Sequence, residues 1–139
     1  MKPVISLFDN PTLDTKAFWD HCDRGELRIN HCDACQRNSH FPRQHCPHCG
    51  NRAVTPRAVS GKGVVYTFAH VRFSPFGTHW KSDLPYCVAH IDLEEGVRFM
   101  SRIVGDDREQ VRIGSQVSLV FVDVQGEEKR RLPCFQLLA

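Results

Sequence analysis

Two cysteine pairs, Cys32-x-x-Cys35 and Cys46-x-x-Cys49, constrain this chain more than any other feature. Each pair can set two thiolates on one side of a metal, and two such knuckles complete a tetrahedral four-cysteine shell. The second knuckle ends in Gly50, which lets the backbone turn sharply under the metal. Two disulfides or four buried free thiols are the competing readings. Disulfides need an oxidising compartment, and Met1-Lys2-Pro3-Val4 lacks the apolar region of a secretory leader. The other cysteines, Cys22, Cys87 and Cys134, are scattered and odd in number, as expected of a reducing cytoplasm. The spacing therefore predicts one structural zinc per chain on Cys32, Cys35, Cys46 and Cys49. Four thiolates leave no open position for water, so this metal carries no catalysis.

At 139 residues the chain makes one ordinary domain or two very small ones sharing a surface. No apolar run approaches the roughly 20 residues that span a bilayer as a helix. A net charge of +2 is too small to mark a nucleic-acid binder. The charge is uneven, however. From Leu27 to Arg57 stand Arg28, Arg37, Arg43, Arg52 and Arg57 against a single acid, Asp33. Part of that charge offsets the doubly negative zinc–tetrathiolate centre, leaving a modestly basic ribbon compatible with a phosphate-bearing partner.

Three segments follow one another. Residues 1–26 hold a short helix, with Thr12 as N-cap and Leu13, Ala17, Phe18 and Cys22 on one stripe. Gly25 stands where a helix end favours a left-handed residue. Phe18 and Trp19 give this helix more apolar surface than it can hide alone, and they are expected to pack on the chain's own ribbon. Residues 27–58 form the ribbon, whose few apolar residues leave much of its folding energy to the metal. His31, His40, His45 and His48 crowd it, and are read as exposed or as supporting groups, since the cysteines already fill the shell.

Residues 59–139 switch to period two after Ser60-Gly61-Lys62-Gly63. Five antiparallel strands are expected: 64–73, 86–93, 97–104, 116–124 and 132–138. Cys87, Ala89, Ile91 and Leu93 share one face, and Val97, Phe99 and Ile103 another. Glu94-Glu95-Gly96 and Gln125-Gly126-Glu127-Glu128 turn between strands, 106–114 could hold a helical turn, and Pro133 puts the last strand at an edge or a bulge. A small Greek-key barrel of the OB type fits best, with a flattened five-strand sandwich as competitor. The excursion from Ser74 to Pro85 carries Phe76, His79, Trp80 and Lys81, either as a binding loop or with Trp80 plugging the barrel.

The order of helix, four-cysteine ribbon and OB-like barrel comes with recognisable words at its junctions. Phe18-Trp19 and Gly25-Glu26-Leu27 lead into the first knuckle; Phe41-Pro42-Arg43 precedes Cys46-Pro47-x-Cys49-Gly50. Ser60-Gly61-Lys62-Gly63-Val64-Val65-Tyr66-Thr67-Phe68 opens the barrel, and Pro85-Tyr86-x-Val88-Ala89, Ile91-Asp92-Leu93, Gly96-Val97-Arg98 and Arg112-Ile113-Gly114 follow. From about residue 14 to 137 this closely resembles the DUF35 family of zinc-ribbon plus OB-fold proteins associated with acyl-CoA metabolism. Gln36 departs from the pattern, standing where the first knuckle usually carries glycine.

The resemblance implies a rubredoxin-like zinc ribbon, an OB-fold barrel and no catalytic residues in this chain. It implies a required accessory subunit of a thiolase-type acyltransferase or lyase, in a hetero-oligomer with two copies of each chain. Such a subunit stabilises a thiolase-fold partner and helps bind or channel a coenzyme A thioester. A hot-dog-fold hydratase is the alternative partner. CoA offers phosphates to arginines and an adenine to an aromatic plane, which makes Arg43, Arg57, Arg72, Trp80 and Lys81 the candidate contacts.

Two rivals are weaker. A single-stranded nucleic-acid module would need a basic groove with exposed aromatics, whereas the second and third barrel strands offer Tyr86, His90, Asp92, Arg98, Met100 and Arg102, of mixed sign. An independent enzyme would need a Cys–His pair, but alternation puts Cys87 and His90 on opposite faces, and Cys134 has no local histidine.

Overall fold

A computed structural model describes residues 11–73, 84–123 and 130–138. Helix α1 (Leu13–Asp23) is followed by β1 (Arg28–Cys32), β2 (Asn38–Ser39) and β3 (Val54–Ala58), then by β4 (Lys62–Val71), β5 (Tyr86–Leu93), β6 (Arg98–Val104), β7 (Gln116–Asp123) and β8 (Arg131–Leu137). The ribbon is a three-stranded antiparallel sheet in the order β2-β1-β3, and β4-β5-β6-β8-β7 close into a barrel. Among the described residues no helix is long and apolar enough to cross a membrane.

Helix α1 begins as expected at Thr12, whose N–H donates to Thr15 Oγ1 at 3.0 Å. It ends at Asp23, and Gly25 just beyond the Arg24 cap has a φ of +79°. Its apolar stripe is shorter than predicted, because Leu13 at the first helical position faces water while Cys22 is fully buried. Phe18 and Trp19 also reach further than the ribbon. Phe18 lies 5.7 Å from His40 of the ribbon and 6.4 Å from Phe99 of the barrel, ring to ring. Asp23 ties the helix end to β8, pairing with Arg130 at 3.3 Å and accepting from the Arg131 N–H at 3.1 Å. The helix is thus a wedge between ribbon and barrel.

Alternation decides the barrel interior. Cys87, Ala89, Ile91 and Leu93 of β5 and Phe99 and Ile103 of β6 point inward and are buried, as is Val97 just before β6. Cys22, Leu27 and Ile29 join the same core, so helix and ribbon share one apolar cluster with the barrel. The sandwich alternative fails because β7 pairs back onto β4, Lys62 opposite Ser118 and Val64 opposite Gln116. The all-antiparallel expectation also needs correction. Strand β8 runs parallel to β6, with Ile103 opposite Phe135, and closure requires that pairing.

Strand β8 is not an edge strand either, since it lies between β6 and β7. Pro133 is tolerated because β8 pairs with β6 only from Phe135 onward, and the missing N–H leaves no ladder bond unmade there. The Pro133 carbonyl accepts from Ser101 Oγ at 2.6 Å instead. The polar stretch after β6 contains the expected helical turn, a single 3-10 turn at Arg108–Gln110. The Gln125–Glu128 turn and most of the Ser74–Pro85 excursion, including Trp80 and Lys81, lie outside the described residues.

Candidate metal centre and adjoining clefts

The four cysteine sulfurs meet at one point, all within 4.8 Å of one another. Cys32 Sγ lies 3.6 Å from Cys49 Sγ, and Cys35 Sγ 3.6 Å from Cys46 Sγ. A tetrahedron with Zn–S bonds of about 2.3 Å has edges of about 3.8 Å, so the two short separations match its edges and the four thiols fit a zinc ion. These are free thiols, not disulfides.

The backbone builds both knuckles the same way. The Gln36 N–H donates to the Cys32 carbonyl at 2.8 Å, and the Gly50 N–H to the Cys46 carbonyl at 2.9 Å. The Cys32 N–H donates to Arg37 and the Cys46 N–H to Asn51, at 2.9 and 2.8 Å. These bonds turn the backbone under the sulfurs in both knuckles. Burial and the neighbouring sulfurs push the Cys35 thiol above the ordinary range. For Cys46, burial acts upward, but N–H groups of Cys49 and His48 draw it below that range. Four ionised sulfurs at this separation need a cation among them.

The histidines take supporting places, though two are not exposed. His31 is 5% exposed, with Nδ1 2.7 Å from Asn38 Oδ1 and Nε2 3.2 Å from Gln36 Oε1. Gln36 Nε2 donates to the Asp33 carbonyl at 2.8 Å, and Asn38 Nδ2 to the Glu95 carbonyl at 2.9 Å. One chain of hydrogen bonds therefore runs from the first knuckle through His31 to the β5–β6 turn of the barrel. His40 packs against Phe99 with ring centres 4.6 Å apart and planes tilted by 41°, and burial lowers its pKa to about 4. His45 accepts from Arg52 at 2.9 Å, and the His48 N–H donates to Cys46 Sγ at 3.3 Å.

The arginines named from the sequence do not converge. Arg43 lines a cleft of about 230 Å3 between helix and ribbon, with Arg28, His21 and Asn30, and Arg57 and Arg72 are not part of it. Arg57 lies on β3, 3.8 Å from Asp33. Arg72 follows β4 and pairs with Glu109 at 3.2 Å. A second cleft, of about 310 Å3, is almost wholly apolar and lies where helix, ribbon and barrel meet. Sequence reasoning did not find it; its only trace there was the spare apolar surface of Phe18 and Trp19.

The remaining cysteines are inert by placement. Cys87 is fully buried on the inner face of β5, whereas His90 faces out. Burial pushes Cys22 up to about 12 and Cys134 up to about 11.

Two family descriptions match the chain: "ChsH2, rubredoxin-like zinc ribbon domain" over residues 19–55 and "ChsH2, C-terminal OB-fold domain" over residues 56–122. A "DUF35 domain-containing scaffold protein" of Methanothermobacter thermautotrophicus is 33% identical over 117 residues, covering 82% of this chain and 86% of that protein. A "probable enoyl-CoA hydratase alpha subunit" of Thermomonospora curvata is 32% identical over 121 residues, 86% of this chain. The chain spans only 36% of that longer relative. Among solved structures, a chain of the "Ltp2-ChsH2(DUF35) aldolase" superposes with a TM-score of 0.80 at 27% identity, covering 98% of both chains.

Proposed function

Because the chain belongs to the DUF35 family of zinc-ribbon and OB-fold proteins, we propose that it is a non-catalytic scaffold subunit of an acyl-CoA-processing complex. Its partner in this reading is a cytoplasmic thiolase-fold enzyme, two copies of each forming the assembly. The observation that carries the reading is the likeness, over 98% of both chains, to a chain of an aldolase described as containing DUF35. The geometry supports a scaffold rather than an enzyme. The four-cysteine shell leaves no place for a substrate, and the buried Cys87 is separated from His90 by the barrel wall.

In this reading one zinc per chain fixes the ribbon, and the chain helps hold the CoA thioester of its partner. Arg43, Arg57, Arg72, Trp80 and Lys81 remain the proposed CoA contacts. Arg43 is best placed, on the rim of a cleft that also holds Arg28. Arg57 and Arg72 sit on exposed ion pairs with 58% and 68% of their side chains open to water, which a phosphate could readily replace.

A hydratase partner is the second reading, favoured by the name of the longer Thermomonospora relative. The nucleic-acid reading is disfavoured by the barrel's outer face. The Arg98 guanidinium covers the Tyr66 ring at 3.4 Å and is held there by Asp92 at 2.7 and 3.2 Å, so that face of the ring is closed to a base.

Capture of the natively expressed full chain and identification of the co-purifying polypeptide tests the partner. In the reconstituted complex, Arg43→Glu should raise KM for the acyl-CoA with kcat nearly unchanged, a loss of about 1–3 kcal/mol for a charge-assisted bond. Acyl-CoA turnover by the purified chain alone, or full activity of the partner without it, would sink the scaffold reading.

A further inference from the structure

The apolar cleft of about 310 Å3 is the feature the proposed partnership leaves unexplained. Its floor is buried, with Phe99 4% and Cys134 2% exposed, whereas Phe41 and Met100 at its rim stand 60% and 54% exposed. A buried floor under an open rim is the shape of a small-molecule pocket rather than of a flat docking face. Its wall is a chain of rings. Trp19 meets Phe18 at 5.1 Å between ring centres, Phe18 meets His40 at 5.7 Å, and His40 meets both Phe41 and Phe99 at 4.6 Å. Rings that brace one another have little freedom left to lose on binding.

Size and charge narrow the occupant. An apolar cavity of about 150 Å3 holds one benzene, so about twice that volume suits two fused rings. Aromatic walls favour a flat ring system, met edge-on or offset-stacked, over a flexible alkyl chain. Among the described lining residues there is no acid, and Arg102 is the one charged side chain at neutral pH. His40 adds no charge there, since burial lowers its pKa to about 4. The Arg102 guanidinium lies over the Tyr86 ring at 4.3 Å. Its charge is felt at the floor of the cleft, where burial raises the Cys134 thiol and Arg102 draws it back. A cation beside an apolar wall complements a ligand that carries one carboxylate.

We propose that the cleft between helix, ribbon and barrel binds a small aromatic carboxylate of about two fused rings, its rings against Phe18, Trp19 and Phe41 and its carboxylate toward Arg102. The site requires neither CoA nor a partner enzyme, so it and the acyl-CoA reading can fail independently.

The probe is 2-naphthoate, titrated into the zinc-loaded full chain and followed by calorimetry and by the carbon-13 methyl signal of Met100. The chain has two methionines, Met1 and Met100, so the label gives one reporter at the rim. Naphthoate should bind one per chain and move the Met100 signal. The neutral analogue 2-naphthalenemethanol should bind about tenfold more weakly, having lost the charge-assisted contact. Met100→Asp sets a like charge at the exposed rim and should weaken naphthoate by about tenfold or more. Leu13→Ala, at a position 90% exposed and outside the lining, should leave the affinity unchanged. In folded protein, Arg102→Gln should remove the preference for naphthoate over the alcohol. A Met100 signal unmoved at naphthoate concentrations on the order of millimolar overturns the site. So does equal affinity for naphthoate and the alcohol in the native chain, binding undiminished by Met100→Asp, or a preference that survives Arg102→Gln. If naphthoate failed to bind while Met100→Asp blocked assembly with a co-purifying polypeptide, the cleft would be a protein interface and the proposal would again be overturned.

Discussion

Gln36 and Gly50 occupy equivalent places in the two metal knuckles. Each donates its N–H to the carbonyl of its knuckle's first cysteine, and each has a positive φ, 62° and 78°. A Cβ at Gly50 would meet nothing within 4 Å, so Gly50→Ala tests the backbone alone and should cost about 1–2 kcal/mol. Gln36 bears that cost natively and offsets it with side-chain bonds to Asp33 and His31. Gln36→Gly should therefore be nearly neutral, as relief of the backbone opposes loss of a bond of about 1 kcal/mol. Gln36→Val should be the worst of the three, losing the bonds and adding β-branching. Urea unfolding of the zinc-loaded variants checks the order.

Metal should be stoichiometric and structural. One zinc per chain is expected by elemental analysis, and Cys32→Ser or Cys49→Ser should give misfolded or insoluble protein, since the ribbon draws folding energy from the ion. A strong chelator should expose the helix and ribbon residues of the shared core, Cys22, Leu27 and Ile29, to hydrogen exchange before the barrel strands. A soluble quadruple mutant that kept its fold would contradict this.

Gly63 answers to packing rather than to φ. A Cβ there would stand 2.6 Å from Ile91 Cγ2 and 2.8 Å from the Asp92 carbonyl oxygen, both inside the β4–β5 pairing. Gly63→Ala should cost about 3 kcal/mol, near the upper end for overpacking, and more than Gly50→Ala. Thermal unfolding of the pair distinguishes the two mechanisms.

His40 should make stability depend on acid. Burial lowers it to about 4 from 6.5, so the unfolded chain takes up the proton first as pH falls. Its contribution is fully present above about pH 6.5 and is lost as pH falls toward 4. For a half-buried ring the loss is about 1–3 kcal/mol. His40→Phe should flatten that window relative to the native chain, while leaving the loss caused by thiolate protonation, which both share.

Much of the architecture was legible because it rests on local rules. The CxxC spacing specified the four sulfurs that meet, and period-two alternation picked the inward residues of β5 and β6. Thr12 marked the helix start, where its N–H donates to Thr15 Oγ1, and Gly25 followed the helix end with a positive φ. The errors arose where a residue's neighbours come from elsewhere in the chain. Leu13 fits a helical stripe, yet the placement of α1 leaves it 90% exposed. Pro133 reads as an edge signal, yet Ser101 and the late start of the β6–β8 pairing accommodate it inside a closed barrel.

The sequence by itself therefore determined the metal shell, the helix limits and the five barrel strands, because each depends on spacing along the chain; the three ribbon strands carried no such period. Tertiary structure alone decided that β8 runs parallel to β6, that His31 links the first knuckle to Glu95, and that helix, ribbon and barrel enclose an apolar cleft. Those features depend on which surfaces meet after folding, and no periodicity along one segment encodes the shape of another segment packed against it.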